Sequence, residues 1–303
     1  MFKKALLVGI NDYKEYPLKG CVNDAKQMKE VLTELFDFES DQIKTLLNKE
    51  ATRQGIIDGL HWLAQGGTEA MRVFHYAGHG YSLLDTSGDE KLDRTDEALV
   101  PYDFSRRNLI LDDDLQAIYQ NKFPKNGNLT LIMDCCHSGT IQRELSEEYH
   151  AYRLIPQSQE EILEIVAARE QVKREFLNKE LADLRGRHVP DDEFERRLSR
   201  GLEKYKAELF GGDFELQERS VMFAACKSSE KAGDAEIAGD FHGVFTYHLV
   251  KILRATKGQI THYELIKRVG EAMHNHLAEK VIEQTPQLEC DPGRQNAKIF
   301  VPF

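Results

Sequence analysis

The chain has 303 residues, of which 41% are hydrophobic and 30% charged, and a formal net charge of −11. That length suits one large α/β domain or two small ones, and the ordinary apolar content excludes wholesale disorder. The acidic balance argues against a surface built to neutralise nucleic-acid phosphates; it fits a cationic substrate or partner, and equally plain solubility.

Five cysteines, at 21, 135, 136, 226 and 290, form an odd set with no framework spacing, which favours a reducing compartment. The opening MFKKALLVGI superficially resembles the start of a signal peptide, but its apolar run stops at Asn11-Asp12 without a small-residue cleavage site. No apolar stretch reaches transmembrane length, so the expectation is a soluble cytoplasmic protein with no membrane or nucleic-acid partner.

In chain order, residues 5–10 read as a buried strand, followed by a helix over 23–36 with Asn23 or Asp24 near its start. A strand at 43–48 precedes a helix from about 52 to 64. RVFHY (72–76) is a third strand, 112–119 begins a helix, and LTLIMD (129–134) is a fourth strand. After a change of composition the pattern resumes with a strand at 220–226, helices at 243–255 and 262–283, and short β-like ends at 286–290 and 298–303. Strand–helix alternation of this kind predicts an α/β fold with a mostly parallel sheet covered on both faces.

The interruption, from 142 to 218, is rich in Glu, Lys and Arg. Apolar residues recur at helical spacing from Ile162 to Leu184 and again from Phe194 to Leu209, separated by RGRHVPDD. The segment reads as an inserted helical hairpin between 1–141 and 219–303. It offers a place for a regulatory partner, or is a charged helical decoration.

Two apolar runs end abruptly in small-residue turns that hold reactive side chains. FHYAGHG (74–80) delivers His79 between two glycines, and LIMDCCHSG (131–139) delivers Cys136 two residues after Asp134. In open α/β sheets ligands bind beyond the carboxyl ends of the strands, so neighbouring strands would bring His79 and Cys136 to one crevice. A thiol beside an imidazole is a nucleophile for acyl transfer, and the N–H groups of Gly80 and Cys136 would hold the oxyanion. Taken singly, a buried Cys after a strand is a small core hydrophobe. A zinc site built from Cys135, Cys136, His137, His75 and His79 is disfavoured, because adjacent cysteines diverge and no Cys-x-x-Cys pair completes a tetrahedron.

HYAGHG with DCCHSG resembles the metacaspases and bacterial orthocaspases, within the clan of caspase, gingipain and legumain. KALLVGIN, LKGCVNDA (18–25), and FAACKSSEKAGDAEI with GVFTYHLVKIL extend the resemblance over 1–141 and 219–303, leaving the insert uncovered. It implies a three-layer α/β/α caspase-like sandwich with large- and small-subunit-like parts, and a cysteine endopeptidase with His79 and Cys136 as its dyad. Cys136 rather than Cys135 is the nucleophile by the same likeness.

Asp134 and Asp24 fall on the family's acidic pocket positions, with Cys21 on the same segment. Paired carboxylates favour a basic P1 residue, so the substrates would be proteins or peptides cut after Arg or Lys. Helix capping by Asp24 and turn stabilisation by Asp134 are the local alternatives. A non-proteolytic signalling scaffold and a same-fold peptidase with Asn specificity are the competing functions.

Calcium, an activator in many metacaspases, would use Asp112 and Asp113. Arg143 stands where a further aspartate is expected, and a solvated acidic loop with a helix cap explains the same residues. The chemistry itself requires no cofactor. In the insert, Arg185 and Arg187 are the favoured processing sites, with Arg143 and Arg153 as alternatives.

Overall fold

A computed structural model describes residues 2–84, 95–105, 108–125, 127–136, 149–155, 196–197, 220–227, 230–277 and 283–300. Six strands form the central sheet: β1 (Lys3–Gly9), β2 (Ile43–Leu47), β3 (Met71–Ala77), β7 (Asn128–Asp134), β9 (Ser220–Ala224) and β12 (Gln287–Cys290). Their spatial order is β12-β9-β7-β3-β1-β2, parallel throughout except for the antiparallel edge strand β12.

Parallel strands with both faces covered need side chains that tolerate burial on either side, and every residue of β3 is buried. Alternation along β1 splits the core into two layers. Ala5 and Leu7 pack with helices α1 (Cys21–Phe36), α4 (Val244–Ala255) and α5 (His262–Leu277), whereas Leu6 and Val8 pack with α2 (Arg53–Ala64) and α3 (Asp112–Lys122). The architecture is the expected three-layer sandwich.

Local chemistry sets the helix ends. Thr52 Oγ1 accepts the Gly55 N–H at the start of α2. At its other end the buried Arg72 guanidinium donates to the carbonyls of Leu63 and Ala64, groups that a helix C-terminus leaves unpaired, and to those of Gln65, Gly66 and Gly67 just beyond it. Helix α1 starts at Cys21, two residues before the expected start, and no side chain caps it.

Two small antiparallel sheets flank the carboxyl ends of the central strands. One is β4 (Gly80–Leu84), β5 (Thr95–Leu99) and β6 (Ile110–Leu111). The other is β11 (Asp240–Gly243), β10 (Gly233–Ile237) and β8 (Tyr149–Tyr152). Strand β8 lies inside the segment expected to be helical: 149–152 are extended because β10 supplies a ladder. Arg196 and Arg197 are helical, and the rest of the expected hairpin lies outside the described residues. The expected terminal strand at 298–303 reduces to one bridge between Thr261 and Lys298, with 301–303 outside the described residues. Among the described residues no helix is long and apolar enough to cross a membrane.

Candidate active site

Strands β3 and β7 are neighbours, and their last paired residues are Ala77 and Asp134. His79 and Cys136 each stand two residues beyond that pair, at the same edge of the sheet. Both are fully buried.

His79 Nε2 lies 2.6 Å from the Tyr16 carbonyl oxygen. A carbonyl only accepts, so this nitrogen carries the proton and Nδ1 keeps the lone pair. Among the described residues Nδ1 has no hydrogen-bond partner. Burial lowers the imidazole pKa to about 4, against the opposing pull of the Tyr16 carbonyl, so the ring is neutral near pH 7. Tyr13 holds the ring from one side, with centroids 4.6 Å apart, and its hydroxyl accepts the His79 backbone N–H at 3.0 Å. Tyr76 Oη lies 2.7 Å from the His79 carbonyl oxygen and 2.8 Å from that of Val100.

The amides of Gly80 and Cys136 converge on one oxygen, the carbonyl of Arg153, at 3.0 and 3.1 Å. These are the two N–H groups that the sequence marks as an oxyanion hole. A Cβ on Gly80 would collide with the Cys136 carbonyl, so only glycine lets the two turns approach. The Cys136 sulfur rests on the Ala232 backbone N–H at 2.6 Å. Cys135 belongs to the opposite core layer, and burial pushes its thiol pKa well up.

The Arg153 side chain is also fully buried, among three carboxylates. Its Nη2 donates to Asp24 Oδ2 at 2.5 Å and to Asp234 Oδ1 at 3.0 Å. Its Nη1 donates to Asp134 Oδ2 at 3.0 Å and reaches the Asp134 carbonyl at 3.3 Å. Each carboxylate is also held by backbone or hydroxyl donors. The Gly243 N–H bonds Asp24, the Thr246 N–H and hydroxyl bond Asp134, and the Lys19 and Gly20 N–H groups bond Asp234. Gly243 and Thr246 open α4, whose positive N-terminal end thereby faces two of the acids.

Asp24 and Asp134 therefore do not serve as a local cap and a local turn; their partners lie far along the chain. Burial raises the Asp24 pKa, but Arg153, His242 and the Gly243 amide outweigh it and hold the group below the usual range. Burial pushes Asp134 up, assisted by neighbouring Asp24 and opposed by Arg153. Cys21 lies close by, its thiol pKa raised by burial. Asp234, Thr246, Gly243 and the Tyr16 carbonyl are additions that the sequence reading did not single out.

Main-chain bonds pin the chain on both sides of Arg153. Strand β8 pairs antiparallel with β10, the Arg153 N–H donates to Ala232, and the Ile155 N–H donates to the Gly80 carbonyl at 3.3 Å. Residues 149–155 thus cross the site as an extended strand. Arg143, Arg185 and Arg187 lie outside the described residues.

The calcium reading rests on Asp112 and Asp113, at the start of α3. Asp112 Oδ2 points at the Glu97 N–H, and neighbouring Asp114 pairs with Arg53 at 3.0 Å. Among the described residues no group of three His, Cys, Asp or Glu converges as metal ligands; the Asp113 side chain lies outside them.

The model of the metacaspase peptidase C14 domain matches residues 3–143, the segment that carries both His79 and Cys136. That segment is similar to the metacaspases, a family of caspase-like cysteine peptidases. Metacaspase-1 of Arabidopsis thaliana is 40% identical over 147 residues, which is 46% of this chain and 40% of that relative. Metacaspase-1 of Pyricularia oryzae is 27% identical over 95% of this chain and 71% of its own length, and that of Scheffersomyces stipitis 28% over 99% and 73%. The metacaspase match thus spans well under half of the Arabidopsis relative. A crystal structure of a Geobacter sulfurreducens protein superposes over the whole of both chains with a TM-score of 0.62 at 21% identity, a likeness of fold.

Proposed function

We propose that this chain is a cysteine endopeptidase that hydrolyses peptide bonds after Arg or Lys, and that Arg153–Leu154 is the first bond it cuts. The observation that carries the reading is the double placement of Arg153: its carbonyl oxygen on the Gly80 and Cys136 amides, its guanidinium among Asp24, Asp134 and Asp234.

In this reading Cys136 Sγ gives its proton to His79 Nδ1 and attacks the Arg153 carbonyl carbon. The oxygen takes up negative charge and is stabilised by the two amides that already hold it. As the C–N bond breaks, His79 passes the proton to the departing Leu154 nitrogen, leaving a thioester on Cys136. Water then adds with His79 as base, and the thiol returns as the new carboxylate leaves. Tyr16 supports the cycle by fixing the tautomer that leaves Nδ1 free.

The same pocket would receive basic P1 residues of other proteins once the 149–153 end has left it. Uncut, the chain obstructs its own site, which makes this part of the insert a built-in inhibitor as well as the first substrate. Three buried carboxylates disfavour a neutral Asn or an acidic residue at P1. Fluorogenic peptides differing only at P1 (Arg, Lys, Asn, Asp), assayed with the native chain and with Cys136→Ala, test the proposal. Cleavage after Arg and Lys that vanishes in the variant is expected; cleavage after Asp, or activity that survives the change, contradicts it. Repeating the assay with a chelator and with added calcium tests the activator site that the family resemblance puts at Asp112 and Asp113.

A further inference from the structure

We infer that Asp234 is a specificity residue of the P1 pocket, and that its sharing of one guanidinium nitrogen with Asp24 makes the pocket select arginine over lysine; this rests on reading 149–155 as a bound substrate strand.

Asp234 sits early in β10, opposite Gly243 of β11 on one side and Ala151 of β8 on the other. The strand that hydrogen-bonds the peptide main chain therefore also contributes a carboxylate to its side chain. The position of that carboxylate does not depend on the guest, because Oδ2 accepts the Lys19 N–H at 2.8 Å and Oδ1 the Gly20 N–H at 3.0 Å. The surroundings are tight. A Cβ on Gly20 would come within 2.6 Å of Asp234 Oδ1, and one on Gly243 would meet Arg153 Nη1 at 2.5 Å.

The acids are arranged around a fork. Asp24 and Asp234 flank Nη2, while Asp134 offers both its carboxylate and its main-chain oxygen to Nη1. A planar guanidinium serves both sides at once. A lysine ammonium is one nitrogen on a flexible stem and cannot occupy both Nη positions. Whichever side it takes, at least one buried carboxylate loses its cation, and an uncompensated buried charge is costly. The pocket thus accepts lysine in sign and penalises it in geometry, with Asp234 supplying the contact that lysine loses when it settles toward Asp134.

The test uses two peptides identical except for P1 Arg or Lys, assayed on the self-processed chain and its Asp234→Asn variant. The amide oxygen of Asn still accepts the Lys19 and Gly20 N–H groups, so the loop stays anchored. The native protein should favour Arg in kcat/KM by at least about tenfold. In Asp234→Asn that ratio should fall toward one, chiefly through a raised KM for the Arg peptide. A purely structural role would depress both peptides alike, and an unchanged ratio overturns the inference. Equal cleavage of the two peptides by the native protein overturns it too while leaving the peptidase reading intact; cleavage of neither would remove the reading beneath it. Should Asp234→Asn fail to fold, Arg153→Lys in the otherwise native chain carries the test. Self-cleavage at position 153 should slow at least about tenfold, and an unchanged rate overturns the inference.

Discussion

The carbonyl oxygen of Arg153 lies 3.0 Å from the amide nitrogen of Gly80, although Gly80 opens β4, Arg153 follows β8, and the two stand 73 positions apart. With the Cys136 amide at 3.1 Å, this gives that oxygen the two donors a developing oxyanion needs. The rest of the site is arranged around the contact. The acids hold the Arg153 side chain, β10 holds the main chain before it, and the Gly80 carbonyl holds Ile155 after it.

Replacing either member of the dyad should stop the chemistry without unfolding the protein. Cys136→Ala and His79→Ala are each expected to lower peptide cleavage by at least about 10³-fold and to leave the chain intact on a denaturing gel. Far-UV circular dichroism should match the native protein, which separates lost chemistry from lost structure.

Arg153→Ala should destabilise the uncut protein. The substitution leaves three buried carboxylates without their shared cation, a change of roughly 3–5 kcal/mol by comparison with other broken buried pairs. The melting temperature, measured in a Cys136→Ala background so that cleavage does not intervene, should fall. Agmatine, a free guanidinium of the right shape, should restore part of the loss. An unaltered melting temperature contradicts the ion-pair assignment.

Gly80→Ala should be far more damaging than Gly67→Ala. A Cβ at 80 collides with the Cys136 carbonyl, whereas nothing lies within 4 Å of one at 67. Cleavage by Gly80→Ala should drop at least about 10²-fold as the oxyanion donors part, while Gly67→Ala keeps native activity. Steady-state rates on the Arg peptide check both.

Stability should decline as the solution is acidified from pH 6.5 toward 4. Burial lowers His75, His79 and His248 to about 4 in the folded chain, against 6.5 for an ordinary histidine. As pH falls through this window the unfolded chain takes up protons that the folded chain refuses, so stability is complete above about pH 6.5 and is lost on the way down. Chemical denaturation of the Cys136→Ala protein at half-unit intervals measures the slope. A flat profile contradicts the burial of neutral imidazoles.

The sheet, and the placement of His79 and Cys136 at its carboxyl end, were legible because β1, β3 and β7 are mostly apolar runs, and a run ending in Gly-His-Gly or Cys-Cys-His marks its own boundary. Strand β8 was not. Tyr149–Tyr152 is four residues long, lies within a charged helical pattern, and becomes a strand only because β10 pairs with it. Arg153 therefore read as one basic residue among several, behind Arg185 and Arg187. Asp234 carried a faint signal, an acid between Gly233 and Ala235, but its partners at Lys19, Gly20 and Arg153 lie 81 to 215 residues away. The Tyr16 carbonyl carried none, since a main-chain oxygen leaves no trace in the residue type.

The most direct measurement is the new N-terminus formed when the purified chain cuts itself, identified by mass spectrometry beside the Cys136→Ala protein. Leu154 as the first new N-terminus, absent from the variant, is the predicted result. A first cut elsewhere while Arg153–Leu154 stays whole, or the same cut in Cys136→Ala, would contradict the account.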